Sequence, residues 1–454
     1  MENREKFDLA IIGAGPGGYE AAVFAAKHGL KTALIEKNAL GGACLNSGCI
    51  PTKTLLHTAE LYHDITAQAD KIGLNCTGLA YDMAQMQQRK AEVIASLQDG
   101  IAKLMKAHKI TVIHGTAQIT GTNEITVFGG EETALTAGKI LIASGSVPAV
   151  PPIEGAEFTM TSDDLLAENR VFDSLIIIGG GVIGIEFASL YTSLGKKVIV
   201  IEALDRILAN MDKEFAQSIK MLLTKRGAQI KAKTAVSKIE ADSTGKITCH
   251  YTEKGKEETA SADAVLMAAG RRAFSQGLWS DDVDIAADRG KIKVNEHYQT
   301  TCPDIYAAGD VIGGIQLAHT ATAEAVNAVC HMLSLPPKYD TSLIPGCIYT
   351  SPEIASVGLT ADEAKKANLK ITAVKYPMGA NGKSLLSLQE RGFIKIIADA
   401  QSKQILGAQL MCARATDMIS QFTQAIAHKL TLDDLGSIIY PHPTFNEAIG
   451  KALE

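Results

Sequence analysis

Residues 7–18 read Phe7-Asp8-Leu9-Ala10-Ile11-Ile12-Gly13-Ala14-Gly15-Pro16-Gly17-Gly18, and residues 174–184 read Ser174-Leu175-Ile176-Ile177-Ile178-Gly179-Gly180-Gly181-Val182-Ile183-Gly184. In each, a short apolar run ends at glycines spaced G-x-G-x-x-G: Gly13, Gly15 and Gly18, then Gly179, Gly181 and Gly184. Such a run bounded by turn residues predicts a buried strand. Each loop leads into a helical stretch, reaching about Gly29 and Leu194, and then into a second strand, Lys31–Ile35 and Lys197–Ile201. Both second strands end in an acid, Glu36 and Glu202, 18 positions beyond Gly18 and Gly184. This order suits a dinucleotide. The glycines let the backbone approach a pyrophosphate at a helix N-terminus, and the acid accepts a hydrogen bond from a ribose hydroxyl. One such loop alone can be a packing turn with a surface acid. Two, about 165 residues apart, point to an α/β fold with two Rossmann-like dinucleotide-binding domains.

The rest of the chain is divided by its prolines and glycines. Pro148, Pro151 and Pro152 mark one linker, and Pro336-Pro337 another. Strand Ala264–Met267 closes the second dinucleotide unit before Gly270-Arg271-Arg272. Beyond residue 344, short strands alternate with helices at Ala361–Asn368 and Thr416–Lys429. The expected domains are 1–148, 149–270, a segment 271–343 that completes the first, and a separate α+β domain at 344–454. A length of 454 residues suits two to four domains. A net charge of -6 and pI ≈ 6.0 argue against nucleic acid as a partner, which needs a basic face. No apolar run reaches the roughly 18 residues of a membrane span. The charged start MENREKFDLAIIG runs straight into a strand and reads as no targeting segment. Eight cysteines in 454 residues suit a reducing cytoplasm.

Two of those cysteines lie close together, in Gly41-Gly42-Ala43-Cys44-Leu45-Asn46-Ser47-Gly48-Cys49-Ile50-Pro51-Thr52-Lys53. Pro51 is placed to open a helix running to about Asp64, so Cys49 is expected just before a helix N-terminus, where the dipole favours a thiolate. A cross-link over so short a loop adds little stability, which favours a redox-cycling pair over a structural disulfide. A zinc site is disfavoured, because no second Cys/His pair lies at ligand spacing nearby, and no metal is expected. Near the C-terminus stands Pro441-His442-Pro443-Thr444-Phe445-Asn446-Glu447. Taken alone, His442 reads as a loop histidine before a catalytic one. The other cysteines (Cys76, Cys249, Cys302, Cys330, Cys347 and Cys412) have no paired spacing and read as isolated thiols.

The segment GGACLNSGCIPTK resembles the active-disulfide segment of the flavoprotein pyridine nucleotide-disulfide oxidoreductases, and the likeness runs through the whole chain in order. Its wording is closest to the branch that oxidises dihydrolipoyl groups; glutathione, trypanothione and mercuric reductases usually carry V-N-V-G-C-V or V-N-x-G-C-V. The resemblance implies FAD on the first glycine loop, NAD on the second, and a homodimer built on residues 344–454. It implies that Cys44 exchanges with substrate and Cys49 faces the flavin, with Lys53 and Glu186 paired beside the ring. Without it, Glu186 reads as a helix-surface residue as readily as a buried one. Ala143-Ser144-Gly145-Ser146 resembles the family's A-T-G-S turn, with Ser144 in place of Thr. Asp310 matches the acid on the flavin ribityl chain and His319 a residue near the ring; Gly270 is expected among the cofactor-binding residues. His442 and Glu447 match the family's base and its carboxylate, although Pro441 and Asn446 stand where Ala and Ser are common. The implied reaction is oxidation of a lipoyl-bearing carrier protein's dithiol, from a 2-oxoacid dehydrogenase complex or the glycine cleavage system. The alternative is a related NAD(P)H-dependent reductase of glutathione or another small disulfide.

Overall fold

The computed structural model describes residues 5–130 and 132–454; the first four residues of the charged start lie outside it. The chain opens with β1 (Glu5–Ile12), α1 (Pro16–Lys27) and β2 (Thr32–Glu36). The cysteine segment is a short helix α2 (Gly42–Asn46) followed by α3 (Cys49–Gln68). Then come α4 (Met83–Ala107), β3 (Thr111–His114), β4 (Thr116–Gly121), β5 (Glu124–Phe128), β6 (Thr133–Ile142) and β7 (Ser146–Pro148). The short α5 (Ser162–Ala167) precedes the second repeat, β8 (Ser174–Ile178), α6 (Val182–Ser193) and β9 (Lys197–Glu202). After α7 (Lys213–Lys225) come β10 (Gln229–Ala232), β11 (Ala235–Ala241), β12 (Ile247–Glu253), β13 (Lys256–Ala262) and β14 (Ala264–Met267).

Contacts divide the chain into two compact units that it enters repeatedly: residues 1–54, 84–149 and 270–341, and residues 55–83, 150–269 and 342–454. The first unit also holds β15 (Arg271–Ala273), the pair β16 (Ala287–Asp288) and β17 (Lys291–Ile292), β18 (Ile305–Ala307) and α8 (Ala318–Met332). Its main sheet runs β3-β2-β1-β6-β5-β4, with β18 on β6. β1 lies parallel between β2 and β6, with Ile12 opposite both Ile35 and Ile142. Leu9, Ile11 and Leu34 pack under α1 and α8, while Ala10, Ile12 and Ile140 face a second cluster with Ile119 and Ile125. Covered faces on both sides explain why β1 is an almost unbroken apolar run.

The second unit carries the parallel sheet β10-β9-β8-β14 and the antiparallel sheet β11-β12-β13. The mixed-charge stretch Thr252–Glu258 forms the turn of the β12–β13 hairpin, at the solvated edge its charges predict. Residues 342–454 add β19 (Gly346–Ile348), β20 (Glu353–Gly358), α9 (Ala361–Lys366), β21 (Ile371–Pro377), α10 (Gly382–Leu386), β22 (Phe393–Asp399), β23 (Ile405–Cys412), α11 (Ala415–Ala427), α12 (Leu432–Gly436) and α13 (Glu447–Leu453). Their sheet runs β19-β20-β23-β22-β21, antiparallel throughout, and packs on Met418, Ile419 and Phe422 of α11. Within this unit Lys395 of β22 reaches Asp212 at 2.8 Å and Glu214 at 2.7 Å, at the start of α7. The chain has no helix long and apolar enough to cross a membrane among the described residues.

Candidate active site

The two glycine loops separate the demands of the fold from those of a ligand. At Gly18 an added Cβ would meet the Gly13 carbonyl oxygen at 1.8 Å, and at Gly184 the Gly179 oxygen at 2.1 Å. Gly13 and Gly179 have φ of +102° and +112°, and their Cβ atoms would strike Ala143 and Ala268. First and third glycines are therefore required by backbone packing. The middle ones are not. Gly15 and Gly181 have φ of -70° and -73°, which any residue adopts. A Cβ on Gly181 would touch nothing within 4 Å, and one on Gly15 only the Gly42 Cα at 3.8 Å. A glycine that the fold does not need leaves room for a backbone to meet a pyrophosphate, so both loops fit a dinucleotide.

The acids ending β2 and β9 are buried and do equivalent work. Glu36 accepts from Ala14 N at 2.7 Å and Asn38 N at 2.8 Å. Glu202 accepts from Gly180 N and Leu204 N, both at 2.6 Å. Each carboxylate ties its strand end to its glycine loop and keeps a further lone pair on each oxygen for a ribose hydroxyl. Arg206, the nearest cation in sequence to Glu202, donates to Ala209 O at 2.7 Å and lies 3.6 Å from Asp205.

The cysteine segment packs directly on the first loop. Gly41 N donates to Ala14 O at 2.8 Å, and a Cβ on Gly42 would come within 2.5 Å of the Gly15 Cα. Asn46 braces the turn: its amide donates to Gly42 O at 2.9 Å and Leu40 O at 3.1 Å, and its oxygen accepts from Gln98 at 2.6 Å. Cys49 is the first residue of α3, and not the residue before the helix, because helical geometry begins two residues ahead of Pro51. Proline is still tolerated there, since the first turn has no intrahelical acceptors for its N–H groups. Cys44 and Cys49 sit side by side as unbridged thiols. A hydrogen bond from Cys44 to the Cys49 sulfur, followed by burial, raises the Cys44 thiol well above its ordinary range, while the Lys53 charge opposes this. Cys49 lies in the first turn of α3, where the helix dipole favours a thiolate.

Ser144 and Gly145 lie in the turn before β7. Ser144 donates to Phe274 O at 2.6 Å, and Phe274 N donates to Gly145 O at 3.0 Å. Gly270, at φ +117°, accepts from Ala149 N at 2.9 Å. Asp310 lies in the helical turn after β18, and His319, exposed, opens α8. Three residues around Asp310 carried no assigned role in the sequence: Ser146, Arg271 and Glu324. Glu324 accepts from Gly309 N at 2.8 Å, and burial pushes its carboxyl up to about 7, with Asp310 adding to the shift. The Ala143–Ser146 turn and the G-R-R triplet after β14 were the sequence signals for this cluster.

In the second unit Glu186 is buried on α6, 3% exposed, and accepts from Tyr349 N at 3.1 Å. That removes the surface reading. His442 Nδ1 donates to Glu447 Oε1 at 2.8 Å, leaving Nε2 as the nitrogen that can take a proton. The other oxygen of Glu447 accepts from Thr444 N at 2.8 Å. That N–H, and then His442, hold the Glu447 carboxyl below its usual range. The loop is fastened further by Asn381, whose amide donates to Thr444 O at 3.0 Å. Of the isolated cysteines, Cys249, Cys330 and Cys412 are buried, Cys302 and Cys347 half-buried and Cys76 exposed. Among the described residues no group of three or more His, Cys, Asp and Glu side chains forms a metal cluster.

Two dinucleotide cradles, a contiguous dithiol and an imidazole–carboxylate pair define a thiol–disulfide oxidoreductase that uses dinucleotides. The pattern of the pyridine nucleotide-disulphide oxidoreductases matches residues 7–325, and that of their dimerisation domain matches residues 344–453. The chain is similar to the dihydrolipoyl dehydrogenase of Bacillus subtilis strain 168, at 41% identity over 98% of this chain and 97% of that one. It is also similar to the mitochondrial dihydrolipoyl dehydrogenase of Pisum sativum, at 36% over 98% and 90%. Among solved structures, the HOCl-induced flavoprotein disulfide reductase RclA from Escherichia coli superposes with a TM-score of 0.88 at 30% identity, over 98% of this chain and 99% of that one. This chain belongs to the pyridine nucleotide-disulphide oxidoreductase family. It is an FAD-dependent oxidoreductase whose second dinucleotide is NAD.

Proposed function

We infer that the protein is a dihydrolipoyl dehydrogenase. The observation that carries this is the Cys44–Cys49 pair, with sulfurs in hydrogen-bond contact on the first dinucleotide loop, in a chain 41% identical over its length to an enzyme of that name. With the pair oxidised, a substrate thiol gives its proton to His442 Nε2, and its sulfur attacks Cys44 Sγ. The Cys44–Cys49 bond breaks and Cys49 leaves as a thiolate. The second substrate thiol then attacks the substrate sulfur of the mixed disulfide, and its proton passes to the Cys44 sulfur that leaves. This closes the lipoyl disulfide and frees Cys44. Two electrons then rest on the cysteine pair. FAD, when bound, supplies the carrier that relays them to NAD+ as a hydride. Glu447 orients His442 and stabilises its protonated form. Lys53 and Glu186 supply opposite charges to the flavin-facing side. Glu36, Ser144, Gly145, Asp310 and His319 hold FAD; Glu202 and Gly270 hold NAD.

Residues 1–148 and 271–343 act as the FAD domain, 149–270 as the NAD domain and 344–454 as the interface of a homodimer. Support for the dimer comes from the dimerisation-domain match and from apolar side chains left in water there: Ile439 is 94% exposed and Leu386 59%. The partner is a lipoyl-bearing carrier protein in the cytoplasm. A second reading, a reductase of another small disulfide, is favoured by the likeness to the disulfide reductase RclA. Steady-state assays decide between them. Dihydrolipoamide with NAD+ should give turnover far above that with glutathione disulfide and NADPH; the reverse order sinks the main reading.

A further inference from the structure

Arg271 spends its guanidinium on a single serine. Nε donates to Ser146 Oγ at 2.8 Å and Nη2 to Ser146 O at 2.8 Å. A hydroxyl has one hydrogen. With Arg271 in its acceptor lobe, the Ser146 hydroxyl hydrogen is directed at Asp310 Oδ2, 2.5 Å away. One oxygen of Asp310 is thereby fixed, and the carboxylate's rotation with it. The backbone beside it is gripped independently. Gly309, at φ +77°, donates its N–H to Glu324 on α8, and a Cβ there would come within 2.9 Å of the Ala321 Cβ. The same stretch is zipped along its length. Ala149 N meets Gly270 O at 2.9 Å, β15 pairs with β7, and Phe274 N meets Gly145 O at 3.0 Å. That backbone zipper already holds Ser146 in place, so a forked cation is not needed to anchor it. What the fork adds is the direction of one hydroxyl.

We propose that Arg271 is a positioning residue for the flavin, acting through Ser146 to aim the Asp310 carboxylate at the cofactor's polyol chain. The proposal rests on the reading of Asp310 as the acid that holds that chain. An aimed acceptor binds a hydroxyl at less entropic cost than one free to rotate, and charge-assisted networks of this kind are cooperative. Lysine can keep the charge but cannot address Oγ and the carbonyl together.

The test is FAD release from the holoenzyme, followed by flavin fluorescence, with thermal midpoints of the apoproteins measured alongside. Asp310→Asn should weaken FAD binding, and Arg271→Met and Ser146→Ala should each weaken it about tenfold, the scale of one charge-assisted hydrogen bond. Arg271→Lys should fall between parent and Arg271→Met. The double variant Arg271→Met/Ser146→Ala should release FAD no faster than the worse single variant. If Asp310→Asn loosens FAD while Arg271→Met and Ser146→Ala hold it like the parent, the relay is wrong. It is equally wrong if Arg271→Met only lowers the apoprotein midpoint. If Asp310→Asn itself holds FAD like the parent, the underlying reading of Asp310 is wrong. Should Arg271→Met fail to fold, Arg271→Lys and Ser146→Ala carry the same comparison.

Discussion

Neighbouring glycines of one loop do different jobs here, and substitution separates them. Gly184→Ala would put a methyl 2.1 Å from the Gly179 oxygen, so it should lower the thermal midpoint by the several degrees that about 1–3 kcal/mol of overpacking produces. Gly181→Ala meets nothing within 4 Å at an ordinary φ, so stability should stay within about 0.5 kcal/mol of the parent. Its damage should appear instead as a raised KM for NAD+. A Gly181→Ala enzyme with unchanged KM would mean that no pyrophosphate approaches that loop. Glu202 carries a second test. Its carboxylate already holds Gly180 N and Leu204 N, and a 2′-phosphate would meet that charge, while Arg206 is committed to Ala209 O and Asp205. NAD+ should therefore be strongly preferred. Glu202→Ala should raise KM for NAD+ at least tenfold, as loss of a hydrogen bond to a charged group worth roughly 1.5–3 kcal/mol requires, and narrow discrimination against NADP+. A parent enzyme that uses both nucleotides equally would assign the pocket to Arg206.

Elements with their own local signals were legible in the sequence; those that exist through distant partners were not. β1 and β8 announce themselves as apolar runs between turns, and both loops fall where the glycine spacing places them. β7 and β15 are three residues each, 125 positions apart from Ser146 to Arg271, and pair only because the fold brings them together. No periodicity over three residues could show that, which is why the contact between Ser146 and Arg271 was not legible. Glu186 was ambiguous for a related reason: α6 is buried on all sides, so no polar face marks inside from outside. α7 and α8 show what such long-range contacts contribute. Lys395 and Asp212 are each only 8% exposed at the β22–α7 junction. Lys395→Met would leave Asp212 buried without its cation and should cost about 3–5 kcal/mol in denaturant titrations. A loss below about 1 kcal/mol would show that water screens the site. On α8, Glu324 has a folded pKa of about 7, above the 4.5 of a free glutamate, with burial as the main cause. Protonation therefore favours the folded state. This contribution is complete below about pH 4.5 and is lost as pH rises through 7. Between pH 5 and 8 the apoprotein midpoint should fall less in Glu324→Gln than in the parent; parallel curves would remove Glu324 from the titration.

Across the whole molecule, the functional groups are distributed among segments that the chain assembles piecemeal. The dithiol and the first cradle lie in the unit built from residues 1–54, 84–149 and 270–341; His442 and Glu447 lie in the other. The imidazole is presented outward, with a side chain 78% exposed, on a loop adjoining Ile438 and Ile439, which are 49% and 94% exposed. Leu385 and Leu386, at 51% and 59%, add to the apolar surface of the same domain. Side chains of this kind gather where a protein meets a partner. The match of residues 344–453 to a dimerisation domain supports a second copy as that partner. A base on such a surface can serve the dithiol of the neighbouring subunit, and an isologous two-fold interface would then build two equivalent composite sites. Subunit mixing tests this directly. Cys44→Ser protein and His442→Gln protein should each be inactive or nearly so, since removal of a general base alone costs about 10²–10⁴ in rate. Refolded together with different affinity tags and purified through both, they yield verified heterodimers. If the base acts across the interface, one of the two sites in each heterodimer combines an intact Cys44–Cys49 pair with an intact His442, and about half of the parental activity per dimer returns. If base and dithiol belong to the same subunit, every site in the heterodimer lacks one group, and activity stays at the level of the single variants.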